Sequence, residues 1–182
     1  MMEREADLTA HRGGSRIVAA EELARRFDAS PATRRGVVLA NGIFDLLHVG
    51  HVRYLEGARA EGKQLVVALN ADASARRLKG PGRPVVALPE RLELVAALRV
   101  VDWVTWFEGD RVDDLLRLLR PEVHAKGTDY TVESVPERAL AASLGIRTAI
   151  VGDPKEHATT GLLARLRAWD APAEPPERGG VA

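Results

Sequence analysis

From residue 37 to residue 151 the chain alternates short, valine-rich apolar runs with longer stretches whose apolar residues recur at helical spacing. That alternation limits the fold more than any other feature. Parallel strands must be joined by crossovers, and a helix is the usual crossover. Runs that are apolar at nearly every position suit strands buried on both faces. Five such runs are read as strands: 37–40, 65–70, 103–107, 122–126 and 146–151. The fourth, EVHAK, is mixed in polarity and still fits the alternation. Helices are expected over 19–28, 49–61, 71–78, 89–101, 110–120, 132–144 and 159–169. Pro89 sits at a helix start, where a missing N–H costs little. Pro81, Gly82 and Pro84 force a loop before it. The expectation is an α/β fold of three layers, α/β/α, around a mostly parallel five-stranded sheet.

Length and composition bound the rest. The 182 residues fit a single domain over 16–170, with disordered segments at 1–15 and 171–182 where charge, Pro and Gly concentrate. Twenty-six basic residues balance 26 acidic ones, so no basic excess points to a nucleic acid. The chain has no cysteine, which removes disulfides, thiolate nucleophiles and thiolate zinc sites. No apolar run approaches the roughly 20 residues of a membrane span. A cytoplasmic protein without membrane or nucleic-acid partners is expected.

In open parallel sheets, ligands bind beyond the carboxyl ends of the strands, where the strand order reverses. The residues with chemistry fall there. NGIFDLLHVGH (41–51) follows the first strand, NAD (70–72) the second, KGTDY (126–130) a later one and GDPKEHATT (152–160) the last. His48 and His51 open a helix, where free backbone N–H groups and the helix dipole attract anions. An imidazole there donates to phosphate oxygens in either protonation state. Gly42 and Gly50 permit close approach of backbone and ligand. Such a pair alone also fits a helix cap or a surface pair.

Taken in order and with their spacing, HVGH, LKG, GRP, VDWV and KGTDY resemble the HxGH nucleotidyltransferase superfamily, and most closely the adenylyltransferase domain of bacterial ADP-heptose synthase. The resemblance runs from about residue 36 to 167. It implies a Rossmann-like nucleotidyltransferase fold. It also implies transfer of a nucleoside monophosphate from an NTP, with ATP favoured, to a phosphorylated sugar of the heptose 1-phosphate type. The attacking phosphate oxygen is already anionic, so catalysis there is positioning and charge stabilisation. By the same resemblance His48, His51, Lys79 and Arg91 are the catalytic groups. Asn41, Gly42, Phe44, Asp45, Gly50, Lys126, Gly127, Asp129, Thr159 and Thr160 border the nucleotide. Asp72, Arg83 and Tyr130 face the substrate. Asp72 also fits a helix cap, Arg83 a solvated loop arginine and Lys126 a surface charge. Mg²⁺ is expected through the phosphates, with no direct metal motif. A homodimer and a separate sugar kinase are the expected partners.

Three positions depart from the family pattern. Ala158 replaces a serine ahead of Thr159 and Thr160, removing a cap hydroxyl typically worth on the order of 1 kcal/mol. His157 beside it can substitute as a donor. Thr128 stands where glycine is usual, and Leu144 precedes Gly145 in place of a second glycine. Two alternatives stay open: a CTP-dependent cytidylyltransferase acting on a polyol phosphate or phosphoethanolamine, and a nucleotide-binding protein without catalysis. A class I aminoacyl-tRNA synthetase would need a second, lysine-rich loop that the chain lacks.

Overall fold

The five apolar runs form one sheet: β1 (Val37–Gly42), β2 (Gln64–Asn70), β3 (Trp103–Phe107), β4 (Val123–Gly127) and β5 (Arg147–Val151). Their order is β3-β2-β1-β4-β5, and every neighbouring pair is parallel. This is a computed structural model, and it describes residues 16–29 and 31–153 together with 161, 163 and 169. The helices are α1 (Ala20–Asp28), α2 (Pro31–Arg34), α3 (Val49–Ala60), α4 (Asp72–Lys79), α5 (Leu88–Ala96), α6 (Asp113–Leu119) and α7 (Arg138–Ser143). None of the described helices is long and apolar enough to cross a membrane.

The period-2 geometry of the strands sorts the side chains into two cores, one on each face. Leu65, Val67 and Leu69 of β2 pack with Leu55 and Ala58 of α3 and with Leu92 and Val95 of α5. Val66 and Ala68 of the same strand pack with Leu23 and Phe27 of α1 and with Leu116 and Leu119 of α6. Each fully buried Leu or Val contributes about 1.5–3 kcal/mol relative to exposure. The three expected layers are present.

Several helix ends differ from expectation, each for a local reason. The helix expected to reach residue 101 ends at Ala96. Val95 and Leu98 carbonyls close successive turns with the N–H groups of Leu98 and Val101. The stretch 132–144 is a single 3₁₀ turn, Val132–Ser134, followed by α7. Pro136 lies between them, and proline cannot donate within a helix. The helix α6 begins at Asp113 rather than residue 110, and Arg120 ends it in the left-handed region at φ 44°. Of the expected helix 159–169, only 161, 163 and 169 are described, and all three are helical.

This topology places the site. From β1 the chain moves outward through β2 to β3, then returns to lay β4 on the other side of β1. The strand order therefore reverses between β1 and β4, the place where such sheets bind ligands beyond the carboxyl ends of the strands. Helix α3 starts beyond the carboxyl end of β1. Gly57 lets α3 press onto β5: a Cβ there would come 3.1 Å from Gly152 N and 3.1 Å from Val151 Cβ.

Candidate active site

His48 is the N-cap of α3, with extended backbone, and His51 is its third helical residue. The His48 backbone N–H donates to His51 Nδ1 at 3.3 Å. That bond fixes the tautomer: Nδ1 accepts, so the neutral ring carries its proton on Nε2. The two rings stack with centroids 3.9 Å apart. Burial, and after it the neighbouring His48, pushes the His51 pKa down to about 4, with Asp45 opposing. The product is a neutral N–H donor beside the positive end of a helix dipole, where anions are attracted.

The depressed pKa has a consequence for stability. Unfolded, His51 titrates near its ordinary value of 6.5, and folded near 4. Between those values the unfolded chain binds a proton that the native chain does not, so stability present above pH 6.5 is lost as the pH falls toward 4. His124, held down to about 3 by burial and by Lys126, acts in the same sense. The melting temperature is expected to fall steadily from pH 7 to pH 4.5. A flat profile over that window in calorimetry would refute this.

The loop leading to His48 is tightly bent. Phe44 and Leu46 both take positive φ, 53°, which costs L-residues roughly 1–2 kcal/mol each. Packing and buried polar contacts hold it. Phe44 is buried, tilted against His51 at 5.4 Å and stacked with Tyr54 at 6.3 Å. A Cβ on Gly42 would reach within 3.1 Å of the Phe44 ring. The Asp45 carboxylate, 1% exposed, accepts from the backbone N–H groups of Val85 and Val86 at 3.0–3.1 Å. It also pairs with Arg83 at 2.9 Å.

Arg91, expected on a phosphate, is fully buried on α5. Its Nε donates to Val86 O, Nη1 to Ile43 O, and Nη2 to both Asn70 O and Asp72 Oδ1. Four of its five N–H groups are thus consumed by protein (one on Nε, one on Nη1, two on Nη2). It ties together the loops after β1 and β2 and the segment before α5. The charged neighbours of Arg91 are paired as well. Asp45 and Arg83 pair with each other. Asp72 is the first helical residue of α4, makes no side-chain cap, and spends its carboxylate on Arg91 at 2.7 Å.

The opposite wall rises from β4. Asn41 Oδ1 lies 3.0 Å from His124 Nε2 and 3.5 Å from Lys126 Nζ. Lys126 is buried, 3.8 Å from the buried Glu137 carboxylate and 4.7 Å above the Tyr130 ring. Burial lowers its pKa and Glu137 opposes the shift. Gly127 leaves open space, the Tyr54 ring being 4.0 Å from an added Cβ. Asp129 is exposed on the following loop, and Thr128 donates to the Asp153 carbonyl. Asn70 and Ser74 bond the Gly109 carbonyl, locking the NAD loop onto the segment after β3. Lys79 is exposed at the last residue of α4, and Gly50 lies in the first turn of α3.

The structure thus groups Phe44, Asp45, His48, His51, Asp72, Arg83 and Arg91 around the first loop, and Asn41, Lys126, Gly127 and Tyr130 around the second. Thr159 and Thr160, with His157 and Ala158, lie outside the described residues. His124 and Glu137 were missed from sequence. The signal was in EVHAK, where His124 and Lys126 share one face of a buried strand.

A family model described as cytidylyltransferase-like matches residues 39–158. The chain is 39% identical over 151 residues to the bifunctional protein HldE of Pseudomonas fluorescens, covering 83% of this chain and 32% of that protein. It is 43% identical over 152 residues to the bifunctional protein HldE of Pelobacter propionicus, covering 84% and 31%. The chain spans about a third of the length of these curated relatives. The lipopolysaccharide core biosynthesis protein of Thermoplasma volcanium superposes with TM-score 0.56 at 26% identity, covering 66% of this chain and 99% of that one. Pantothenate synthetase of Thermus thermophilus, at 22% identity, TM-score 0.55 and coverage of 78% and 63%, shares the fold.

Proposed function

The chain belongs to the cytidylyltransferase-like family, and from that premise we propose that it transfers AMP from ATP to a sugar phosphate of the heptose 1-phosphate type, releasing pyrophosphate. A substrate phosphate oxygen bonds to the α-phosphorus as the bond to the β-phosphate oxygen breaks. The nucleophile carries charge already, so the chain need not remove a proton. Its task is to bring two anions together and hold the reacting phosphorus in line.

One observation carries the reading: a neutral His51 with its Nε2–H free of protein partners among the described residues, at a helix N-terminus beyond the carboxyl end of β1. We assign His48, His51 and Lys79 to the phosphates. Asn41, Gly42, Gly50, Lys126, Gly127, Asp129, Thr159 and Thr160 are assigned to the nucleotide, and Tyr130 to the site's rim. Arg91, Asp45, Arg83 and Asp72 hold the loops that present these groups. The choice of ATP and a heptose phosphate rests on the LKG, GRP and KGTDY resemblance and on the likeness to HldE proteins and to a lipopolysaccharide core biosynthesis protein. A reaction that phosphorylates a sugar must supply the substrate, so a sugar kinase acts before this chain.

Mg²⁺ is proposed as the companion of the triphosphate. Among the described residues no group of three or more His, Asp or Glu is arranged to hold a metal ion. The Asp45 carboxylate is committed to Val85, Val86 and Arg83.

ATP with Mg²⁺ is expected to raise the melting temperature by several degrees at about 100 times Kd, where linkage gives roughly 2.7 kcal/mol. CTP is expected to give less. Pyrophosphate release would then be followed across sugar phosphates. Stabilisation by CTP alone would move the assignment to cytidylyl transfer, and no pyrophosphate with any pair would refute catalysis.

A further inference from the structure

His124 occupies a position where the chain otherwise buries apolar groups. Val123 and Ala125 of β4 pack into the core beneath α3 and α5. By strand alternation His124 and Lys126 face the other layer. His124 lies in register with Leu39 of β1 and Thr148 of β5, and it is 0% exposed. Burying an imidazole there costs more than burying a leucine.

The contacts of Asn41 account for that cost. Its Oδ1 faces both His124 Nε2, at 3.0 Å, and Lys126 Nζ, at 3.5 Å. An ammonium only donates, so the amide atom facing it is oxygen. The imidazole nitrogen facing the same oxygen must then carry the proton, and Nδ1 is left as a lone pair, buried without a partner. Burial, then Lys126, holds the ring neutral at ordinary pH, with a pKa of about 3. With Oδ1 committed inward, the carboxamide NH₂ of Asn41 turns away from both residues. It has no hydrogen-bond partner among the described residues and is not sealed in the core. It stands at the carboxyl end of β1, one residue before Gly42.

We infer that His124 is a positioning residue for the nucleotide: it fixes the Asn41 amide so that the site presents N–H donors, never the carbonyl, to acceptor atoms of the bound NTP. The inference rests on the nucleotidyl-transfer reading above. A nucleotide offers oxygen acceptors on every phosphate and on its ribose, and a flipped amide would set oxygen against oxygen there. Lys126 alone holds the amide through one long contact from a flexible side chain. Lys126 dictates that the oxygen faces inward, and the rigid imidazole, closer by half an ångström, holds it there.

Two variants and one spectrum test this in the full chain. His124→Leu removes the donor and keeps an apolar volume, and His124→Gln keeps an N–H of similar reach. Calorimetric titration with Mg·ATP is expected to show affinity about tenfold weaker in His124→Leu. KM should rise in parallel, kcat should change less than about threefold, and the melting temperature should be unchanged or higher. His124→Gln should recover the affinity to within about twofold. Independently of any variant's folding, the imidazole ¹⁵N spectrum of the unaltered protein should show the Nε2–H tautomer. Unchanged ATP affinity in His124→Leu, a loss that His124→Gln does not recover, or an Nδ1–H tautomer would each overturn this role alone. An unaltered protein that binds neither ATP nor CTP would overturn the nucleotidyl-transfer reading and this role with it.

Discussion

Alanine at His51 is expected to cut turnover about a hundredfold or more while leaving the chain folded. The size follows from what the ring supplies. Removing one preorganised donor to charge that develops in a transition state typically costs 10²–10³ in kcat. His51 holds its donor with little freedom: Nδ1 is pinned by the His48 N–H at 3.3 Å, and Phe44 and His48 bracket the ring. A competing account makes His51 only a helix cap, since it satisfies an otherwise free backbone donor. His51→Gln separates the two. Glutamine three residues after the cap is a natural partner for that N–H, so its melting temperature should stay near that of the unaltered protein. Its turnover should still fall steeply, because the amide does not place a donor where Nε2 stood. Near-normal pyrophosphate release by His51→Gln would reduce His51 to a cap. His48→Ala should fall as far as His51→Ala.

The second large effect is on stability. Arg91→Leu is expected to cost about 3–5 kcal/mol in denaturant unfolding, because several backbone acceptors lose their donor at once. The arginine is 0% exposed, and its loss leaves three backbone carbonyls, Ile43, Asn70 and Val86, without it, while the 39% exposed Asp72 carboxylate can turn to water. Leaving each buried acceptor without a partner costs roughly 1–3 kcal/mol. Lysine cannot replace it. An ammonium has one centre, whereas the planar guanidinium reaches four acceptors from three nitrogens. Arg91→Lys should therefore lose more than about 2 kcal/mol as well. Were Arg91→Lys to unfold at the usual denaturant concentration and differ only in its KM for triphosphate, the arginine would belong on the phosphate after all.

The contrast between the two residues shows how far the sequence could be read. His48 and His51 sit at a strand-to-helix joint, and local pattern alone places them at a helix N-terminus. Their neutral, stacked arrangement needed coordinates. The strands were legible because parallel strands buried on both faces are apolar at nearly every position, and because Pro and Gly mark the joints. Pro136 breaks the stretch 132–144 although its apolar spacing reads as one helix. The roles of Asp45, Asp72, Arg83 and Arg91 were not legible. A charged residue that binds phosphate and one that ties loops together look alike in sequence, and only burial tells them apart. His124 was hidden for the opposite reason. In a mixed run such as EVHAK, nothing short of the strand register shows that its ring is buried beneath Asn41.

Arg91 also bears on how such chains can be recombined. Its guanidinium joins the segments around Ile43, Asn70–Asp72 and Val86, and Asp45 adds Arg83 and Val85 to the same knot. A single loop transplanted from a relative would arrive without its counterparts and leave acceptors in the interior bare. The smallest module that can be swapped intact is the set of these segments together with Arg91. Changes of substrate in this framework should therefore be inherited as linked blocks, with the freely variable positions confined to residues outside the knot.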